Sequence, residues 1–257
     1  MNPKLTLIGA GSGDPDLITL KAIKALKVAD VVLYDALANE ELLDYCPAHC
    51  QKIYVGKRGH QPSVGQDSIN FMIVEKAFEC GHVVRLKGGD PFIFGRGIEE
   101  IEYANQRGIE TAYIPGISSV MSGGFQNIPL TARGVVEGFW VMTATKAETE
   151  LANDLRLAAQ ANATIVILMG MHRLNYILEQ FRVNNKSEMP VAIIQNATLP
   201  NEKMVVGTVG TIEDLAKKQN IKAPAVIIIG EVVKYHEALG GMTFEKSEIY
   251  THNPELV

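Results

Sequence analysis

The chain has 257 residues, 47% of them hydrophobic, and a formal net charge of −5 at pH 7. That length accommodates one large or two small domains with a well-filled core. The mild acidic excess argues against a broad nucleic-acid footprint, which needs clustered Lys and Arg, and no apolar run reaches the ~20 residues that cross a bilayer.

Three cysteines, Cys46, Cys50 and Cys80, are too few for a disulfide framework. Cys46-x-x-x-Cys50 has no His or Cys cluster beside it, so no metal site is expected, and free thiols in a reducing cytoplasm are. Met1-Asn2-Pro3-Lys4 leads directly into a strand with no signal-peptide h-region, which also fits a cytoplasmic protein.

The first strand is Leu5 to Ile8, closed by Gly9. Leu17, Leu20, Ile23, Ala25 and Leu26 give an apolar helical face, which predicts a helix from about Asp16 to Val28. Strands follow at 30–34 and 51–55, with a short helix at Glu40–Cys46 between them and a longer one over Gln66–Cys80. A strand at Val83–Leu86, a helix at Ile98–Arg107 and a strand at Thr111–Ile114 complete the first half. Strand and helix alternate throughout, as in an α/β unit with a largely parallel sheet.

Pro115-Gly116 marks a hinge, followed by a Gly/Ser-containing helix. Beyond it, strands are predicted near 138–143, 163–168, 190–195, 203–207 and 223–229, and helices near 151–159, 175–181 and 212–218. Fewer helices per strand suggest a mixed α+β sheet. The expected organisation is an N-terminal α/β domain at 1–116, a C-terminal α/β domain at 117–240 and a polar tail at 241–257. Two such domains would leave a cleft between them, a common place for a ligand.

Two loops stand out. Arg85-Leu86-Lys87-Gly88-Gly89-Asp90-Pro91-Phe92-Ile93-Phe94-Gly95-Arg96-Gly97 runs from a strand into a helix with four glycines and three exposed-prone apolar residues. Glycine lets backbone approach a ligand closely, and Asp-Pro is a turn signal. The earlier loop, Gly9-Ala10-Gly11-Ser12-Gly13-Asp14, invites a dinucleotide-binding reading, with Asp35 ending the second strand as a ribose-binding acid would. Asp14 occupies the place of the third glycine, and a carboxylate there would face the pyrophosphate, so that reading is rejected. Asp14 and Asp16 are expected to cap the following helix.

With these loops and Tyr34-Asp35-Ala36-Leu37, the chain resembles the tetrapyrrole methylases over roughly residues 3–239. The resemblance implies a two-domain α/β fold with the active site in the interdomain cleft, S-adenosyl-L-methionine as methyl donor, and a homodimer. Within the family the chain is most similar to members that methylate uroporphyrinogen III at two ring carbons, giving precorrin-2 through precorrin-1 for sirohaem and cobalamin. It implies donor contacts from Ser12, Gly88, Gly89, Asp90, Ile93, Ser118, Ser119, Met169 and Ala197, a proton acceptor at Asp35 and a proton donor at Lys57. At this length only the methylase portion is expected, without a fused dehydrogenase or ferrochelatase. The family often has histidine where this chain has Ala132 and Thr145, which touches the substrate side more than the donor side.

These residue types suit the chemistry. Methyl transfer from a sulfonium needs positioning and a dry site more than activation. A pyrrole carbon that gains a methyl must later release a proton, so a carboxylate such as Asp35 is a sensible neighbour. A polycarboxylate macrocycle calls for Arg and Lys; Arg58, Arg85, Arg96 and Arg133, expected in loops or at strand ends, are the candidates. Apolar surface after the hinge, at Phe125, Ile128 and Leu130, is expected to be covered by a second copy. A methylase of a later corrin intermediate and a non-catalytic donor- or tetrapyrrole-binding module are the rival readings.

Overall fold

The structure is a computed structural model that describes residues 2–56, 65–144 and 148–239. It divides into two compact units: Met1–Ser119 together with Asn196–Asn201, and Val120–Gln195 together with the described residues from Glu202 onward.

The first unit is built on β1 (Lys4–Gly9), β2 (Val31–Tyr34), β3 (Gln51–Tyr54), β4 (His82–Lys87) and β5 (Glu110–Ile114), in the order β3-β2-β4-β1-β5. Every pairing is parallel, with Ile8 opposite Leu86 and Ile114, and Leu33 opposite Arg85. Parallel strands covered on both faces read as near-continuous apolar runs, because successive side chains enter two different cores. Ile8, Val32, Val84 and Leu86 pack with Ala22 and Leu26 of α1 (Leu20–Leu26). On the other face, Leu5, Val31, Leu33 and Val83 pack with Ile69 and Ile73 of α2 (Gln66–Cys80) and Ala104 of α3 (Gly97–Asn105).

The helix expected from Asp16 to Val28 is shorter than its apolar spacing suggests. Asp14 accepts from Asp16 N and caps only a 3-10 turn at Pro15–Leu17. Ile18 and Thr19 are extended, and Thr19 Oγ1 accepts from Ala22 N at 3.2 Å, starting α1 afresh. The segment Glu40–Tyr45 is likewise a 3-10 helix, capped by Asn39.

Because all five strands run the same way, their carboxyl ends share one edge. There Gly9 at the end of β1, and Gly89 and Gly116 just beyond β4 and β5, pack backbone to backbone. A Cβ on Gly9 would sit 2.4 Å from Gly116 N and 2.6 Å from Gly89 O. One on Gly116 would sit 2.3 Å from Gly89 O. No side chain fits in either place.

The second unit holds a sheet of β6 (Phe139–Thr143), β7 (Thr164–Leu168), β8 (Pro190–Gln195), β9 (Lys203–Thr208) and β10 (Ala225–Ile229), ordered β6-β7-β10-β8-β9. Only β6 and β7 are parallel; β10 runs antiparallel to β7 and β8, and β8 to β9. This is the mixed sheet that its sparser helices implied. Ile165, Ile167, Val191, Ile193, Ile227 and Ile229 pack with Leu155 of α4 (Glu148–Gln160), Ile177 and Phe181 of α5 (Leu174–Arg182) and Ile212 of α6 (Ile212–Lys218). A short α7 (Tyr235–Ala238) ends the described chain.

The helix expected after the hinge is a 3-10 helix at Ser119–Gln126. One expectation about this segment is corrected. Ile128 is fully buried inside its own unit, where its carbonyl and Cβ close over Gly123, so it offers no surface to a second copy. The tail at 241–257 lies outside the described residues.

Gly116→Ala should lower stability by about 2–4 kcal/mol in urea unfolding, because the new methyl meets the Gly89 carbonyl oxygen, which is held by its pairing with Gly11. Gly138→Ala, with open space around it, should stay within about 0.5 kcal/mol of the parent.

Candidate functional site

The two glycine loops lie on neighbouring strands and are joined. Gly89 N donates to Gly11 O at 2.6 Å, Gly11 N donates to Gly89 O at 3.3 Å, and Ala10 N donates to Lys87 O at 2.7 Å. Gly11 and Gly89 have φ of +84° and +66°, a region that only glycine enters without strain. Gly88 is needed for a different reason: a Cβ there would fall 2.4 Å from Leu37 Cβ. A Cβ on Gly89 would meet Ser118 Cα and Ser119 N at 3.8 Å, so Ser118 and Ser119 lie just across from it.

Ser12, between the paired glycines, has a buried Oγ with no hydrogen-bond partner among the described residues. Such atoms are rare in folded proteins and call for an explanation. Asp14 N donates to Thr198 Oγ1 at 3.0 Å, and Asn39 Nδ2 to Gly13 O at 3.1 Å. A Cβ on Gly13 would fall 3.0 Å from Ala197 O. Ala197, distant in sequence, therefore packs with the first glycine loop as part of the first unit.

Asp90 is buried, and both oxygens of its carboxylate are engaged. Phe92 N donates to Oδ1 at 2.8 Å; Tyr113 Oη and Gly116 N donate to Oδ2 at 2.6 Å and 3.1 Å. The carboxylate thus ties the β4 loop to the end of β5. Burial, with the bond to Asp90, pushes the Tyr113 phenol above its ordinary value. Phe92 stacks on the Tyr113 ring, centroids 4.1 Å apart. The loop beyond presents Phe92, Ile93 and Phe94, each around two-fifths exposed. Phe94 and Arg96 have positive φ, of 56° and 57°. Arg96 forks onto Glu99, at 2.8 Å and 2.7 Å, in the first turn of α3.

Asp35 directly follows β2, one strand away from β4 on the same edge. Leu37 N donates to its Oδ1 at 3.1 Å, and Arg85 Nη2 to its Oδ2 at 3.3 Å. About a quarter of the side chain is exposed.

Arg85 corrects an expectation. It lies inside β4 rather than in a loop or at a strand end, and its side chain is 3% exposed. Beside Asp35, it donates from Nε to Glu100 and from Nη1 to Leu33 O and Leu86 O. With those acceptors in place, a substrate carboxylate has no access to it. Arg133 is exposed, in the turn that Ala132 and Val136 close by pairing with each other. Met169, in the second unit, follows β7 with φ 57° and is about two-fifths exposed. Lys57, Arg58 and Thr145 lie outside the described residues.

Sequence reasoning missed the group beneath Asp35. Glu100 Oε1 accepts from Arg85 Nε at 3.3 Å, Lys87 Nζ at 3.0 Å and Gln66 Nε2 at 3.1 Å, and Glu100 is 1% exposed. A signal was available: Arg85 and Lys87, two apart on one strand face, carry charges into a strand buried on both sides. Burial and the neighbouring Arg85 hold the Lys87 ammonium below the usual lysine value. Among the described residues no group of three or more His, Cys, Asp or Glu could hold a metal ion, and no helix is long and apolar enough to cross a membrane.

A parallel sheet wound on both faces, with glycine loops and a carboxylate at the carboxyl ends of adjoining strands, defines an α/β protein of the doubly wound class, in which ligands gather outside that edge. The chain belongs to the tetrapyrrole (corrin/porphyrin) methylases, whose family pattern matches residues 4–213. It is 46% identical over 236 residues to a uroporphyrinogen-III C-methyltransferase of Methanocaldococcus jannaschii, covering 91% of this chain and 98% of that one. It is 40% identical to a siroheme synthase of Nitrosomonas europaea, covering 91% of this chain but 50% of that longer protein. Its fold is similar to a uroporphyrin-III C-methyltransferase of Thermus thermophilus crystallised with S-adenosyl homocysteine. There the TM-score is 0.76 and the identity 37%, over 90% of this chain and 99% of that one.

Tyr113→Phe should remove a hydrogen bond to a charged group and lower stability by about 1–2 kcal/mol. The raised phenol adds a pH signature. The folded protein keeps a proton that the unfolded chain releases above the ordinary tyrosine value of 10.0, so stability present below that pH is lost as pH rises through it. Urea titrations at about pH 9 and about pH 11 should show a smaller fall in the phenylalanine variant than in the parent.

Proposed function

We propose that this chain transfers methyl groups from S-adenosyl-L-methionine to two ring carbons of uroporphyrinogen III, giving precorrin-2 by way of precorrin-1. The observation that carries this reading is the joined pair of glycine loops, holding the orphaned Ser12 Oγ, one strand from the Asp35 carboxylate. The relatives named above that share nearly their whole length with this chain support the choice of substrate.

The residues fit the donor. Paired glycines expose main-chain donors and acceptors, Ser12 offers an unused hydroxyl, and Ile93 adds apolar surface. We assign the donor to Ser12, Gly88, Gly89, Ile93, Ser118 and Ser119, with Met169 and Ala197 as further contacts. Asp90 belongs to the same set, acting through the loop it fastens. When bound, S-adenosyl-L-methionine supplies a methyl carbon already activated by its sulfonium. The chain's own work is then orientation, exclusion of water and removal of a proton.

Asp35 is the acceptor for the proton that the methylated macrocycle loses. Its Oδ1 is held by a backbone amide and its Oδ2 by Arg85, so the carboxylate keeps one orientation. Lys57 as proton donor rests on the family resemblance, and Arg58 as a substrate contact on the cations that a polycarboxylate calls for. Arg96 and Arg133, both exposed, are the described cations available to substrate carboxylates. Arg96 would exchange Glu99 for the substrate, a small loss because an exposed pair contributes little. The product feeds sirohaem or cobalamin synthesis. The protein works in the cytoplasm, a placement supported by its free cysteines, and as a homodimer, a state supported by the family resemblance.

Purified protein given labelled donor and enzymatically made uroporphyrinogen III should place two methyl groups on each macrocycle. Transfer only to a later corrin would move it to another branch of the family, and binding without transfer would make it a carrier. Asp35→Asn should leave donor affinity within about twofold while turnover falls about a hundredfold or more. Parental turnover in that variant would remove Asp35 from the chemistry.

A further inference from the structure

Beneath Asp35 lies a charged set that neither the donor nor the substrate is assigned to touch. Arg85 and Lys87 extend from one face of β4, and Glu100 comes down from the fourth position of α3. Glu100 Oε1 collects Arg85 Nε, Lys87 Nζ and, from the first residue of α2, Gln66 Nε2, which also reaches Asn70 Oδ1 at 3.0 Å. Side-chain exposure is 3% for Arg85, 8% for Lys87 and 0% for Glu100.

Stability does not account for this arrangement. Apolar replacement of a buried ion set is often neutral or stabilising, because desolvation offsets the attraction. Geometry does account for it. A guanidinium offers a rigid planar fork of donors. Glu100 fixes the Nε edge of Arg85, and two main-chain carbonyls, Leu33 O and Leu86 O, fix Nη1. That leaves Nη2, which points to Asp35 Oδ2. The fork can hold Asp35 in only one direction while Glu100 stays in place. Lys87 balances Glu100, so that of two cations and two carboxylates none is left buried without an opposite charge.

We propose that Glu100 is a positioning residue for methyl transfer, acting through Arg85 to set the direction of the Asp35 carboxylate, with Lys87 as its counterion. This rests on the reading of Asp35 as proton acceptor. The charged groups joined to Asp35 through this set are Arg85 and Lys87 on β4 and Glu100 on α3. Removing the Glu100 carboxylate frees the Nε edge of Arg85, so the fork no longer fixes the direction of Asp35.

The test uses the full chain, S-adenosyl-L-methionine and uroporphyrinogen III. Glu100→Gln should lower kcat by about tenfold or more while the donor KM and Kd stay within about twofold, a split that a general loss of folding would not give. Glu100→Asp keeps the charge but shortens the reach, so kcat should fall there too with the donor KM unchanged. Lys87→Met/Glu100→Gln removes the ion pair as a unit and should fold even if the single variant does not; it should still lose turnover, because Arg85 Nε has lost its anchor. If Glu100→Gln, or the double variant in its place, turns over at the parental rate while Asp35→Asn is inactive, the positioning role is overturned and the base assignment stands. If Asp35→Asn is itself active, the base assignment fails, and this inference with it.

Discussion

Close backbone packing at the ends of β1, β4 and β5 is the constraint on which the first unit depends. Gly9 and Gly116 occupy space in which even a methyl group would overlap a peptide atom, in both cases including the Gly89 carbonyl oxygen. Close packing of that kind is stiff, since interiors tolerate little added volume. It brings the two glycine loops near enough to pair through Gly11 and Gly89, which β1 and β4 as neighbours would not by themselves require. It also sets the end of β5 beside the β4 loop, within reach of the Asp90 carboxylate.

Two carboxylates at the same edge are handled in opposite ways. Asp90 is closed off, its oxygens taken by an amide of its own loop and by two donors at the end of β5. Asp35 is held from one side and open on the other, with about a quarter of its side chain reaching solvent. A group that fastens a loop is best satisfied completely, since a buried unpaired oxygen is costly. A carboxylate left partly open can still be approached from solvent. The sheet provides both environments by ending one strand in a deep turn and the other at its surface.

Much of this fold could be read from residue pattern. The helix over Gln66–Cys80 and the strand over Pro190–Gln195 match the expected spans, because apolar spacing and turn residues agree there. Asp16–Val28 did not keep its length, since periodicity is blind to a second cap, and Thr19 competes locally with the residues before it. The family motifs pointed to Gly88, Gly89, Asp90 and Asp35, but not to what Asp90 binds, because Tyr113 and Gly116 are more than twenty residues away along the chain. Glu100 was hidden by its setting. In the first turn of a helix a glutamate is normally a solvated residue facing the dipole, and only the burial of β4 beneath it makes it an interior charge.

Asn196–Asn201 leaves the second unit, packs with the first and returns. The chain therefore passes between the units more than once, and neither half is a contiguous stretch of sequence. A fragment ending at Ser119 would lack the Thr198 hydroxyl that receives Asp14 N and the Ala197 carbonyl beside Gly13. Exchange of the second half between relatives by a single splice would thus alter a loop of the first. The six-residue excursion would have to be inherited together with the glycine loop it contacts.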